Sequence, residues 1–258
     1  LAGFLLEARP GLARWLYALA AVVGLVAALS YRQMRVRREY ALLGAEQAER
    51  RAGPVFSLAT MREILREDPA YRRYLYWLAV YGAGNLMINA QLVIIFSDHL
   101  GLSSAKQIGV LSIVPLLCIP VFTPLWARLF DSGHVIAYRA RQCWALVAAI
   151  SLLGLAILLR QEMLLWTGAL MLGAASAGAN LGWILGHSDF ASLGRMQQYM
   201  GVNVTLTGVR GLLAPPAGVL LYEWIETAAP GQGPWALLLP LAMTLTGAYG
   251  FNRMKGSV

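Results

Sequence analysis

Long apolar stretches alternate with short polar connections along most of this 258-residue chain. Seven of the stretches are uncharged or almost uncharged, and each has about the 20 residues that a helix needs to cross a bilayer. They cover residues 15–31, 74–97, 108–127, 143–159, 163–186, 199–222 and 235–252. The pattern therefore predicts an all-α, polytopic bundle of about seven transmembrane helices.

Composition supports membrane lipid as the surroundings of these helices. Hydrophobic residues make up 58% of the chain and charged residues 13%, against roughly 25% charged in an ordinary soluble domain. The net charge of +8 would favour nucleic-acid binding in a soluble protein, but here the basic residues flank apolar spans and face lipid headgroups. We therefore expect membrane lipid, and no nucleic acid, among the partners.

The basic residues also predict an orientation. If the first span ends inside the cell, 16 of the 21 Lys and Arg residues fall on the inner side, four fall outside and Arg210 lies within a span. Short loops rich in Lys and Arg stay cytoplasmic. We expect a bacterial inner-membrane protein whose C-terminus is cytoplasmic.

Three segments organise the chain. Residues 1–31 contain one span, residues 32–73 form a cytoplasmic linker with an arginine cluster at 32–38 and the breaker pair Gly53-Pro54, and residues 74–258 contain six spans. Thr60 and Glu63 make a capping box, followed by helical apolar spacing until Asp68-Pro69. This short amphipathic helix lies either on the inner membrane face or in solvent.

A cytoplasmic loop motif suggests a family. Residues 126–134 read Trp-Ala-Arg-Leu-Phe-Asp-Ser-Gly-His, and Arg139 and Arg141 follow. With Asp131 and Gly133, this segment resembles the second-half loop motif of the major facilitator superfamily (MFS), although Ala127 stands where a Gly is usual and Gly133 comes one residue early. The run 187–216 is similar to the same region of poorly characterised bacterial members.

The resemblance implies both an architecture and a function. Span 15–31 would be the last helix of an N-terminal half, and the other six would form the C-terminal half of a secondary transporter that works by alternating access. An N-terminal six-helix half, in the same or another chain, would be the partner. Asp131, Gly133, Arg139 and Arg141 would latch helix ends together on the cytoplasmic face. The alternative is a non-transporting scaffold, assembly or accessory subunit of a larger membrane complex, such as a photosynthetic one, with other membrane subunits as partners.

Arg210 is the sharpest single signal for a site. It lies near the middle of span 199–222, where a charged side chain costs at least about 2.5–3.5 kcal/mol. It either binds an anionic substrate or a gating partner, or it is satisfied by carbonyls, by amides or by an acid in the missing half. Both interpretations remain open from the sequence.

Four amides are the remaining cavity candidates. Asn85 and Asn89 are four residues apart and share a helix face, while Asn180 and Asn203 lie in the fifth and sixth spans. Such side chains either line a cavity or bond across helices. The prolines of the third and sixth spans, including Pro215-Pro216, predict bends that serve either a hinge or a static fold.

Glycines in the fifth span indicate packing rather than chemistry. Gly178, Gly182 and Gly186 stand four residues apart, which gives a smooth face for close helix approach. Cys118 and Cys143 lack the spacing of a metal site or a disulfide pattern. The neighbours His187, Ser188 and Asp189 are not a convergent triad, so we expect neither an enzyme nor a cofactor or metal.

Overall fold

The computed structural model describes residues 13–32, 57–192 and 195–256, and over these ranges every regular element is a helix. The chain divides into two compact units between Ser57 and Leu58. The first unit contains helix α1 (Ala13–Arg32), and the second contains all the other helices. Residues 33–56, which hold most of the predicted linker and its Gly53-Pro54 pair, lie outside the described residues.

The second unit is a bundle of long helices. In chain order these are α2 (Leu58–Glu67), α3 (Pro69–Asp98), α4 (Ser104–Ile108), α5 (Val114–Asp131), α6 (Val135–Leu159), α7 (Glu162–Leu185), α8 (Met196–Ala228) and α9 (Leu238–Lys255). A π-helical turn, Gly109–Ile113, joins α4 to α5, and a 3-10 turn, Gly233–Leu237, leads into α9.

Five helices of the described chain are long and apolar enough to cross a membrane: α3, the continuous α4–α5 segment, α6, α7 and α8. The predicted all-α, multi-pass membrane protein is confirmed at this level. The predicted count of about seven is not confirmed by the described residues. In α9 the last turn carries the polar residues Asn252, Arg253 and Lys255, and this helix is not among the five.

Local sequence explains where α3 begins. The Asp68 carboxylate accepts a hydrogen bond of 2.8 Å from the backbone N–H of Tyr71, and Pro69 occupies the first helical position, where its missing N–H costs nothing. The same Asp68 accepts a bond of 3.2 Å from the Tyr199 hydroxyl, and the Tyr71 hydroxyl donates to the Tyr199 carbonyl at 2.7 Å. The start of α3 is thereby tied to the start of α8.

The main packing contacts place the long helices in one order. Helix α5 packs on α7, α7 on α6, α6 on α9, α9 on α3 and α3 on α8. Within the second unit, helices α5 and α8 therefore each have one main neighbour among the long helices. Only 17% of the most apolar window of the α4–α5 span and 11% of that of α8 are buried, so the described residues of this unit leave apolar faces of both helices uncovered.

Contact registers give the helix directions. Between α3 and α8, Tyr71 contacts Tyr199 and Gln91 contacts Gly218. The residue numbers increase in the same direction on both helices, so these helices are parallel. Across α6 and α7, Gly168 approaches Leu153 whereas Gly182 approaches Arg139, so these are antiparallel. Helices α3, α6 and α8 begin at one end of the bundle, which we call the linker end, and finish at the other, the far end.

Candidate functional site

A groove on α3 holds the Arg210 side chain. A Cβ atom at Gly82 would stand 2.5 Å from Arg210 Cζ, so only glycine leaves room for the guanidinium against this helix. Leu78 and Gly82 are nine and thirteen residues after Pro69, which places the guanidinium about 14–20 Å along α3. This depth is well inside a hydrocarbon core of roughly 30 Å.

Among the described residues, the hydrogen-bond partners of Arg210 are all neutral groups. Its Nη1 donates to the Leu78 carbonyl at 2.6 Å, and its Nη2 donates to Thr207 Oγ1 at 3.1 Å. Its Nε is buried without a partner. The carbonyl interpretation of the sequence thus applies to part of the side chain, but no carboxylate of the described residues lies beside the positive charge.

A second arginine lies deeper in the protein. Arg139 is on α6, only 1% exposed, and its guanidinium packs on α7 where Gly182 provides the space, because a Cβ there would stand 2.7 Å from Arg139 Cζ. Nη1 donates to Gln142 Oε1 at 2.9 Å, and Nε is again buried without a partner. The Tyr74 hydroxyl also interacts with this guanidinium.

Gln142 connects Arg139 to α3. Its Nε2 lies 3.2 Å from both the Tyr81 hydroxyl and the Ala175 carbonyl. Tyr81 precedes Gly82, the residue beneath Arg210, so the two arginines approach the same segment of α3. They lie within electrostatic range of one another, and their charges repel.

Carboxylates of the described bundle lie only at its ends. Glu63, Glu67, Asp68, Asp131 and Asp189 are at the linker end, and Asp98, Glu162, Glu223 and Glu226 are at or near the far end. Two positive charges therefore occupy the interior without a neutralising acid from these residues. An interior of this kind attracts an anion.

Polar stripes on three helices adjoin Arg210. On α8, Asn203, Thr207 and Arg210 share a face, and both Asn203 and Thr207 bond Trp183 of α7: Asn203 Nδ2 donates to the Trp183 carbonyl and Trp183 Nε1 donates to Thr207 Oγ1, each at 3.4 Å. On α3, Asn85 and Asn89 continue the stripe of Leu78 and Gly82. Asn180 lies one turn before Trp183 on α7.

The structure brings only some of the predicted residues together. Asn203 is buried near Arg210, whereas Asn89 and Asn180 are exposed and Asn85 is partly exposed. Asn89 Nδ2 donates to the Asn85 carbonyl of its own helix at 3.2 Å, and none of these three amides bonds Arg210. They are free to contact a solute or a second bundle beside the arginine.

The residues of the loop motif have different surroundings. Asp131, Gly133 and Arg141 are exposed, while Arg139 lies inside the bundle. Within the described chain Asp131 forms no ion pair. The carboxylate at the start of α6 is that of Asp189, whose Oδ2 accepts a bond of 2.6 Å from the Val135 N–H.

The three glycines of α7 accommodate large side chains. Gly178 lies against Trp126 and Gln142, Gly182 against Arg139, and Gly186 against the Tyr74 hydroxyl. The absence of side chains at these three positions therefore makes room for the polar network of Arg139. Sequence reasoning missed Gln142, Tyr81 and Trp183 as members of the site, although Arg139 and Gln142 have a spacing of three that places them on one helix face.

The described residues contain no group of three or more His, Cys, Asp or Glu side chains that could hold a metal ion. Cys118 and Cys143 are buried free thiols. Comparison with protein-family models, with characterised proteins and with solved structures gives no match. The case for function therefore depends on the geometry of the arginines and their surroundings.

Proposed function

We propose that this chain is part of an MFS-type secondary transporter that moves a small anionic solute across the bacterial inner membrane by alternating access. One observation carries the proposal: Arg139 and Arg210 are both held within the bundle, and no carboxylate of the described residues neutralises them. Charged side chains inside a membrane protein mark substrate or ion pathways by default. An anionic solute supplies the missing negative charge.

The uncovered helices support a partner bundle. Helices α5 and α8 end the packing order and present apolar residues such as Leu116, Val121, Leu212 and Leu220. A second six-helix half, in the same or another chain, would cover these faces and enclose a cavity that includes Arg210 and the amides of Asn85, Asn89 and Asn180. Transporters commonly place solutes between two such halves, near the bilayer midplane.

Charge supports an orientation with the linker end in the cytoplasm. Nine Lys and Arg residues of the bundle lie at that end: Arg62, Arg66, Arg72, Arg73, Arg128, Arg141, Arg195, Arg253 and Lys255. Lys106 and Arg160 lie at the far end. By the positive-inside rule, this difference supports our proposal that the end of α9 is on the cytoplasmic side.

Uptake into proteoliposomes tests the proposal. The chain is reconstituted into liposomes together with the half that completes it. The proteoliposomes are then loaded with each of a panel of organic and inorganic anions, and counterflow is measured. Arg210→Ala should abolish uptake without changing membrane insertion, and Arg210→Lys should restore only part of it because lysine lacks the planar fork of the guanidinium. Arg66→Ala, on the exposed side of α2, is the matched control. Uptake by Arg210→Ala equal to that of the parent protein would contradict the proposal.

A scaffold or accessory subunit is the second candidate, because the exposed apolar face of α8 also suits a permanent membrane partner. Leu212, Leu213, Leu220 and Trp224 are 62–74% exposed, which suits a permanent membrane partner as well as a transporter half. A scaffold would co-purify with a stoichiometric subunit on this face and show no counterflow of any anion. A transporter would show counterflow without any subunit beyond its second half.

A further inference from the structure

An apolar cavity opens between α6 and α9 near the far end, away from the arginine pair. Its volume is about 200 Å³, and its walls include Ile150, Leu155, Leu238 and Leu241. Gly154 also lines it, and a Cβ at that position would meet no atom within 4 Å. The cavity follows α6 from Ile150 to Leu158, a length of about 12 Å, and suits part of an acyl chain.

A polar pocket of about 170 Å³ continues from this cavity toward the membrane surface. The two share Ile157, Leu158, Pro234 and Trp235, and the polar pocket adds His99, Gly231 and Arg160. An apolar groove that passes a half-exposed tryptophan and ends at a cation has the order of a phospholipid: chain, interface, headgroup.

Arg160 is the only free cation of this pocket. It forms no ion pair within the described chain, whereas His99 already contacts the Tyr222 hydroxyl at 3.0 Å and Glu226 Oε2 at 3.5 Å. The Glu226 carboxylate is in turn held by the N–H groups of Gly231 and Gly233 at 2.8 and 2.7 Å. The guanidinium of Arg160 is left exposed to accept a ligand.

The backbone at Arg160 is unusual. Its φ of 51° and ψ of 39° make it the one residue other than glycine with positive φ in the described part of the chain. Helices commonly end in this conformation with glycine, which has no Cβ to strain it. Arg160 therefore ends α6 in a conformation that glycine would adopt without strain.

We propose that this composite site binds an anionic phospholipid, with an acyl chain between α6 and α9 and its phosphate at Arg160. The site lies in the leaflet at the far end of the bundle. It does not depend on the proposed transport, because it shares no residue with the arginine pair. Phosphatidylglycerol is the simplest lipid of this class to test.

Native mass spectrometry of delipidated protein, titrated with phosphatidylglycerol and with phosphatidylcholine of the same chains, measures the binding. Gly154→Leu fills the cavity and should weaken the binding of both lipids about tenfold, the effect of losing contact with two methylenes. Gly211→Leu, on α8, also meets open space and should bind as the parent protein does.

The variant Arg160→Gly tests the contribution of the arginine charge to lipid binding without destabilising the fold. Glycine relieves the positive φ, so the variant should be at least as stable as the parent, yet its preference for phosphatidylglycerol over phosphatidylcholine should fall about fivefold, the effect of one arginine beside an anionic headgroup. Equal phosphatidylglycerol binding by the parent, Gly154→Leu and Arg160→Gly would overturn the proposal. Displacement of the lipid by inorganic phosphate alone would also overturn it, because the site would then recognise an anion and not a lipid.

Discussion

Replacing Arg210 by methionine should stabilise the protein while removing transport. Methionine keeps most of the length of the side chain and suits the groove beside Gly82. The Leu78 carbonyl is in the middle of α3 and keeps its helical hydrogen bond, and Thr207 Oγ1 still accepts the bond from Trp183. The substitution removes a charge and leaves no buried polar group without a partner.

The magnitude follows from the cost of the charge. An arginine at the centre of a membrane helix costs about 2.5–3.5 kcal/mol on insertion scales, and Arg210 is partly exposed, so this range is an upper limit. For a chain of this size each kcal/mol shifts Tm by about 2–4 °C. Arg210→Met should therefore raise Tm by several degrees, and by no more than about 14 °C.

Buried thiols provide the assay. Cys118 and Cys143 are the two cysteines of the chain, and both are buried and free, so a thiol-reactive fluorophore reports unfolding in detergent on heating. Arg139→Met is the informative comparison. It removes a charge as well, but it leaves Gln142 Oε1 with only the weak, 3.9 Å contact from the Cys143 thiol, which costs up to about 1–3 kcal/mol. We expect its Tm to lie close to that of the parent protein.

A fall in Tm for Arg210→Met would refute this reasoning. Removing one partner of a buried ion pair costs about 3–5 kcal/mol because the other charge is left unpaired. A destabilised variant would therefore mean that the partners of Arg210 outweigh the cost of its charge, and an anion would no longer be needed to explain that charge.

Three other predictions concern packing, pH and an exposed ion pair. Gly182→Ala should lower Tm because its methyl group overlaps the buried guanidinium, whereas Gly211→Ala meets open space and should raise Tm slightly through helix propensity; equal shifts would contradict the packing argument. Burial lowers the pKa of His187 below its ordinary value, so the unfolded chain binds more protons and stability should fall as pH drops below about 6.5, an effect that His187→Gln should remove from a Tm-against-pH series. The bond of 2.9 Å from Arg195 to Glu67 is exposed, so Glu67→Gln should cost at most about 1 kcal/mol in a thermal melt, and less in high salt.

The pattern of apolar stretches predicts most of the helices because lipid imposes a simple requirement on sequence. A chain that cannot bond its backbone to water must form long helices with apolar surfaces, and this requirement identifies α3, α5, α6, α7 and α8. The same reasoning predicts that the fourth span starts at Cys143, because Arg139 and Arg141 have the character of loop residues. This start is eight residues after the observed one. In the structure α6 begins at Val135, and its first turns are buried between α3 and α7.

Sequence could not predict which arginine is enclosed. Arg139 and Arg141 are two residues apart on α6, yet Arg139 is 1% exposed and Arg141 is exposed. The difference depends on Gly182, which leaves space on α7, and on Gln142, which provides an acceptor on α6. Both are contacts between side chains whose positions follow from the packing order of the helices and not from the local pattern.

The backbone of α8 adds to the argument that Arg210 faces a cavity. Pro215 and Pro216 lie inside this helix and have no N–H to donate, so the carbonyls of Gly211 and Leu212 lose their helical partners. Free carbonyls facing lipid cost several kcal/mol each, and these two follow directly after Arg210, on a helix whose apolar window is 11% buried. Water, a solute or a second bundle over this part of α8 would supply donors for these two carbonyls and a counter-charge for the Arg210 guanidinium. Lipid alone would supply neither.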